Sequence, residues 1–195
     1  MAEVGIALAH YAIIEEDSTT ALVYKNPVRL SKLVAVDINP NVVESVLYAD
    51  NGPAESHSAL SKIDVEIELA DLTLREQAEL LGHTFKDGGI IKKASDVAPY
   101  IAFGFKALKS NGKWRYVWLK KGKFSEPTRN HRTQGEQIQY NTPKIKGSFV
   151  VTVYDDAWEA SIDEDEEGFN TADGAAWFTD TTLENGLGAT AVPVA

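Results

Sequence analysis

Residues 63–70 read Ile-Asp-Val-Glu-Ile-Glu-Leu-Ala. Ile63, Val65, Ile67 and Leu69 alternate with Asp64, Glu66, Glu68 and Ala70. A helix would scatter those aliphatic side chains around its axis. A strand places them all on one face and the carboxylates on the other. The stretch therefore belongs to a sheet with one face buried and one face wet. The rest of the chain must supply cover for the buried face.

Much of that cover also reads as strand. Tyr100 to Leu108 and Lys113 to Lys121 are rich in aromatic and apolar residues, and Lys109-Ser110-Asn111-Gly112 between them is a tight-turn signal. Trp114, Tyr116 and Trp118 share one face of the second stretch, and Arg115, Val117 and Leu119 share the other. Ile145 to Tyr154 reads as a further long strand. Earlier strands are expected at Ala9 to Glu15, Leu22 to Lys25, Leu30 to Ile38 and Val43 to Tyr48. Asn26-Pro27, Asn39-Pro40 and Asn51-Gly52-Pro53 are the turns that separate them.

Leu72 to His83 is different. Thr73 and Glu76 form a capping box, Leu74, Ala78 and Leu81 recur at helical spacing, and Gly82 supplies the stop. Many strands, one short helix and no βαβ rhythm predict a mainly β (α+β) fold, an antiparallel β-sandwich with one flanking α-helix. Asp50 to Ser58 and Ser125 to Glu136 read as loops, the candidates for contacts between copies.

The chain has 195 residues, 44% of them hydrophobic, enough to bury a core and too many for wholesale disorder. It has no cysteine, which excludes a disulfide scaffold, thiolate zinc sites and a cysteine nucleophile. No apolar run reaches transmembrane length, so no membrane partner is expected.

Charge is segregated. Residues 1–105 carry −8, residues 106–154 carry +9, and residues 155–195 carry −11 without one Lys or Arg. Such blocks pair within one copy or between copies. The last segment, with five acids in a row from Asp163 to Glu167, is expected to be a poorly packed tail that Trp158, Trp177 and Phe178 anchor in parts.

Signals for chemistry are sparse. His10, His57, His83 and His131 make no metal-ligand spacing. Asp163, Asp165, Glu167 and Gly168 imitate the first half of a calcium loop, but Gly174 stands where the bidentate glutamate belongs. No metal and no cofactor are expected. Asp64, Glu66 and Glu68 offer three readings: a solvated face, the carboxylates of a hydrolase, or a wall that repels phosphate. Trp114, Tyr116 and Trp118 among cations imitate a single-strand binding platform, yet period-two aromatics serve more often as core or interface. A net charge of −10 opposes gripping nucleic acid.

The ordered blocks "VESVLYADNGPAES", "SALSKIDVEIELADLTLREQAELLGHTF", "APYIAFGFKALKSNGKWRYVWLKKGKFSEP" and "TPKIKGSFV" resemble the major tail protein (tail tube protein) family of long, non-contractile-tailed bacteriophages. The resemblance spans Leu8 to Tyr154. It implies a tail-tube β-sandwich domain over 1–154 with an acidic C-terminal segment over 155–195, partly ordered or packed at an interface. It implies a virion protein rather than an enzyme. Copies would assemble in the host bacterial cytoplasm into stacked hexameric rings. Partners would be further copies of the chain, the tape-measure and tail-terminator or tail-tip proteins, and genomic DNA that passes without specific binding. Asp64, Glu66 and Glu68 are the candidate lumen-facing residues. The competing expectation is a ligand-binding β-sandwich, such as a carbohydrate-binding module using Trp114 or Trp118.

Overall fold

The computed structural model describes residues 2–49, 52–129 and 142–179. Among these residues the elements run β1 (Glu3–Asp17), β2 (Leu22–Tyr24), β3 (Val28–Arg29), β4 (Leu33–Ala49), β5 (Gly52–Leu69), α1 (Leu74–Leu81), β6 (Thr84–Lys86), β7 (Gly89–Ile91), β8 (Ile101–Lys109), β9 (Trp114–Phe124), β10 (Lys144–Phe149), β11 (Glu159–Asp163) and α2 (Thr171–Ala176). The fold is mainly β and its strand pairs are antiparallel.

One sheet holds nearly all the strands. Its order is β2-β1-β8-β9-β10-β5-β4, with β3 also on β1 and β11 also on β9; β6 and β7 form a separate hairpin. The sheet curls, bringing β1 and β4 together across the interior. Ala9 and Tyr11 of β1 thereby share a core with Ile63, Val65, Ile67 and Leu69 of β5 and with Phe103, Leu119, Phe124 and Phe149. The alternation that predicted β5 is realised: its aliphatic face is buried in this core.

Helix α1 closes one end. Thr73 Oγ1 accepts from the Glu76 N–H, the Glu76 carboxylate accepts from the Thr73 N–H, and Gly82 ends the helix with a left-handed φ of 75°. Leu80 and Leu81 reach the core. A Cβ at Gly82 would stand 2.2 Å from the Val97 carbonyl oxygen, so glycine is required there on two counts.

Two turn signals misled. Asn39-Pro40 lies inside β4, where Pro40 pairs with Ile63. β4 is an edge strand, the place where a sheet tolerates proline because one side of the strand needs no partner. Of the expected loop Asp50 to Ser58, Gly52 to Ser58 is strand, part of β5, which pairs with β4 back to Ala49↔Gly52, and Asp50 and Asn51 lie outside the described residues. The expected strand to Tyr154 stops at Phe149. Of the loop Ser125 to Glu136, residues 130–136 lie outside the described residues.

The second face of β9 is also buried. Tyr116 and Trp118 belong to a core shared with Trp177, Leu22, Tyr24 and Ala102, and Trp114, Ile162, Phe169 and Phe178 pack against it. The segment 155–179 is therefore not the poorly packed tail expected from its acidity. β11 joins the sheet beside β9, and Trp177 is 2% exposed. Residues 180–195 lie outside the described residues.

Two glycines make these aromatic contacts fit. Gly104 of β8 pairs with Trp118, and a Cβ there would stand 2.5 Å from the indole ring. Gly122 of β9 pairs with Phe149, and a Cβ there would stand 2.3 Å from the phenyl ring. Each large ring lies flat over a neighbouring strand that lacks a side chain at that point. Gly104→Ala and Gly122→Ala should each cost about 1–3 kcal/mol through overpacking. The measurement is urea unfolding: the midpoint should fall with little change in the slope.

Candidate assembly surface

The β4–β5 ladder outruns the core. From Leu33↔Leu69 to Pro40↔Ile63 the inward side chains face the interior. At the next step the register shifts between Asn41↔Lys62 and Val42↔Leu60, leaving Ser61 as an extra residue. A bulge of this kind changes which side chains of β5 share a face with β4. Leu60 then stands beside Val42, on the face that continues the core side. Nothing in the described residues covers that face. Val42 is 55% exposed, and Val46 and Leu60 are also exposed; Val43, on the reverse face, is 59% exposed.

The projecting part is a two-stranded arm. Val42–Ala49 alone extends about 25 Å at roughly 3.3 Å per residue. β10 pairs with β5 only from Ile63 to Glu68, so beyond Ile63 the arm has two open edges among the described residues. An isolated two-stranded ribbon is marginal in water. An open edge bearing valines is a template for another strand. The exposure of Val42, Val43, Val46 and Leu60 was not foreseen from the sequence. A signal for them was present: Asn51-Gly52 in the sequence is turn chemistry compatible with a hairpin as well as with a loop.

Asp64, Glu66 and Glu68 lie on the outward face of β5, as the alternation requires, but they are not a bare carboxylate row. Lys62 Nζ is 3.0 Å from Asp64, and Asn41 Nδ2 donates to Asp64 at 2.7 Å. Lys146 and Lys144 stand 3.2 and 3.3 Å from Glu66. Thr142 Oγ1 donates to Glu68, and Lys144 lies 3.4 Å from it. These contacts hold all three carboxyls below their ordinary range: for Asp64 chiefly the Lys62 bond, for Glu66 the Lys146 bond, for Glu68 the Thr142 bond. Lys144 and Lys146 of β10 answer Glu66 and Glu68 across the strand pair, while Lys62 and Asn41 of the β4–β5 ladder answer Asp64.

The charge blocks resolve in the same way. Arg115 grips Asp163 through Nε and Nη2, both at 2.7 Å. Lys109, only 4% exposed, binds Asp163 at 2.9 Å and also Asp165. Lys120 binds Asp155, and Lys121 binds Asp17 at 2.5 Å. The acidic segment is a strap tied to the basic strands beneath it. The apparent calcium loop is part of this tie: Asp163 and Asp165 already hold cationic side chains.

The remaining sequence candidates are placed as follows. Trp118 is 1% exposed and its Nε1 donates to the Trp177 carbonyl at 2.7 Å, so it offers no platform to a ligand. Lys106 Nζ stands 3.9 Å over the Trp114 ring. His83 is held between Asp96, at 2.7 Å, and Glu126, and Lys92 meets Glu126 at 2.6 Å. His10 stacks on Phe178 at 4.4 Å. His57 lies on the arm, and His131 lies outside the described residues. No group of carboxylates and histidines suited to a metal ion occurs among the described residues, and no helix there is long and apolar enough to cross a membrane.

No protein-family model matches the chain, and no curated protein matches it significantly.

Asp163 carries a pH prediction. Its bond from Arg115 holds its carboxyl down to about 2. A depressed pKa stabilises the folded chain fully above the ordinary carboxylate range, and that stabilisation disappears as pH falls toward about 2. Asp163→Asn should therefore lower the melting temperature at neutral pH. The gap between wild type and variant should narrow steadily below pH ~4. Calorimetry of both proteins across that range measures it.

Proposed function

We propose that this chain is a structural virion protein that self-assembles into stacked hexameric rings forming a phage tail tube through which DNA is delivered. The observation that carries the reading is the arm. A ladder with aliphatic side chains on both faces and two open edges is stable when another copy covers it. Full burial of one Val or Leu contributes about 1.5–3 kcal/mol, so four such residues supply a large driving force for each copy. Joining open edges between neighbours also removes an aggregation hazard and extends the sheet around a ring.

Within this reading the family resemblance supplies the ring number, the tape-measure and tail-terminator or tail-tip partners, and the place of assembly. Asp64, Glu66 and Glu68 remain the proposed lumen wall. Their pairing with Lys62, Lys144 and Lys146 changes the physics of that wall. Lysines already engaged by carboxylates release fewer counterions to a passing phosphate, so DNA slides over a closely alternating surface instead of a uniformly repelling one. The reading is non-enzymatic and requires no cofactor.

Replacing residues 42–60 with a short Asn-Gly turn should leave a folded subunit, because the arm's described side chains add nothing to the core. Circular dichroism should show the native β spectrum and a cooperative melt. Electron microscopy and sedimentation should show tubes or rings from the full chain and only monomer from the variant. Monomeric full-length protein at high concentration, or normal tubes from the armless variant, would count against the reading.

A further inference from the structure

We propose that Asn111 is a self-modification site, and that its conversion to aspartate or isoaspartate releases the acidic strap from the β8–β9 hairpin. The proposal concerns how the strap is held within one copy and does not depend on the assembly reading.

Chemistry singles out the hairpin tip. In an Asn-Gly pair the glycine has no side chain to obstruct attack of its backbone nitrogen on the asparagine side-chain carbonyl. The Gly112 nitrogen bonds to Cγ of Asn111, the bond from Cγ to Nδ2 breaks, and Nδ2 leaves as ammonia with the proton from Gly112. A five-membered succinimide remains. Water opens it at either carbonyl, giving aspartate at one and isoaspartate at the other. Neither step needs an oxidant, a metal or another protein. Asn111 and Gly112 are both exposed.

The fold holds this reaction back. The Gly112 N–H donates to the Lys109 carbonyl at 2.9 Å, which engages the attacking nitrogen. Asn111 Oδ1 accepts from the Lys113 N–H at 3.1 Å, and Asn111 Nδ2 donates to Asp165 at 2.9 Å. Both ends of the side-chain amide are therefore held, one of them by the strap. Attack requires the tip to open, and the strap makes opening costlier.

The product destroys the bond that delayed it. An aspartate at 111 has no donor for Asp165. It also adds a negative charge beside the carboxylates of Asp163 and Asp165 that surround Lys109. Isoaspartate further lengthens the backbone of a turn closed by the Lys109 N–H on the Lys113 carbonyl at 2.8 Å. The strap then loosens at the hairpin, next to Glu164, which accepts from Tyr116. Ammonia has left, so the release runs one way.

The full-length protein is aged in mildly alkaline buffer, and peptide mass spectrometry follows conversion at 111. Conversion should be slow in the native protein and faster by about tenfold or more in Asp165→Ala, the change in opening expected from losing one hydrogen bond to a charged group. It should be fastest in urea. Limited proteolysis within 155–179 should quicken in step with conversion in the wild type and not in Asn111→Gln, whose longer side chain would have to close a six-membered ring. Asn111→Asp should show the quickened cleavage from the start, with the native circular dichroism spectrum kept. Asn-Gly also occurs at 51–52 and 185–186, and both pairs persist in Asn111→Gln, so their effects would appear there as well. Equal conversion in native wild type and Asp165→Ala, or in native protein and urea, would overturn the strap's control of the reaction. Strap cleavage unchanged after conversion, or in folded Asn111→Asp, would overturn the release.

Discussion

Strand β9 is buried on both faces, and the rest of the architecture follows from that. Val117, Leu119 and Phe124 point into the curled sheet, while Tyr116 and Trp118 point out of it. An exposed tryptophan and tyrosine on a central strand would leave a large apolar patch in water. The strap 155–179 removes the patch. Trp177 and Phe178 pack on the rings, and β11 pairs with the first half of β9. Tyr116 also donates to Glu164 at 2.9 Å, and burial with that bond pushes its hydroxyl up to about 12.

The strap could not dock if its charge went unanswered. Its acids land on Lys109, Arg115 and Lys120, so the opposite blocks of the sequence neutralise each other within one copy. Breaking one member of such a pair leaves the partner exposed to a desolvation cost, which makes the ties more consequential than surface pairs. Internal pairing leaves less of the positive middle segment for contacts between copies. Apolar surface and open strand edges are then the main terms available for assembly, and among the described residues the arm offers both: exposed Val42, Val43, Val46 and Leu60 and two unpaired edges.

The arm and the core come from one continuous ladder. Up to Pro40↔Ile63 the inward face of β4–β5 is core; beyond it none of the described residues covers the same kind of face. The bulge at Ser61 keeps Leu60 beside Val42 instead of turning it to the polar side. A chain that folded only for itself would gain little from a ribbon of this length. The polar face of the same ladder, with Asp64, Glu66 and Glu68 each answered by a neighbour, stays soluble without any cover.

The sequence alone determined the elements whose signals are local. Alternation identified β5 and its carboxylate face, the Thr73–Glu76 box and Gly82 bounded α1, and Asn111-Gly112 joined β8 to β9. These rest on backbone periods and cap chemistry that act over a few residues. Only the tertiary structure decided the rest. Asn39-Pro40 reads as a turn until β4 is known to be an edge strand, where the missing donor is tolerated. Asp50 to Ser58 is small and polar, yet pairing with β4 makes it strand from Gly52 onward. The acids after Tyr154 read as a loose tail because their cationic partners lie up to 56 residues earlier, at Lys109. Charge neutralisation and edge position depend on which distant segments meet, and that information is absent from any local window of the chain.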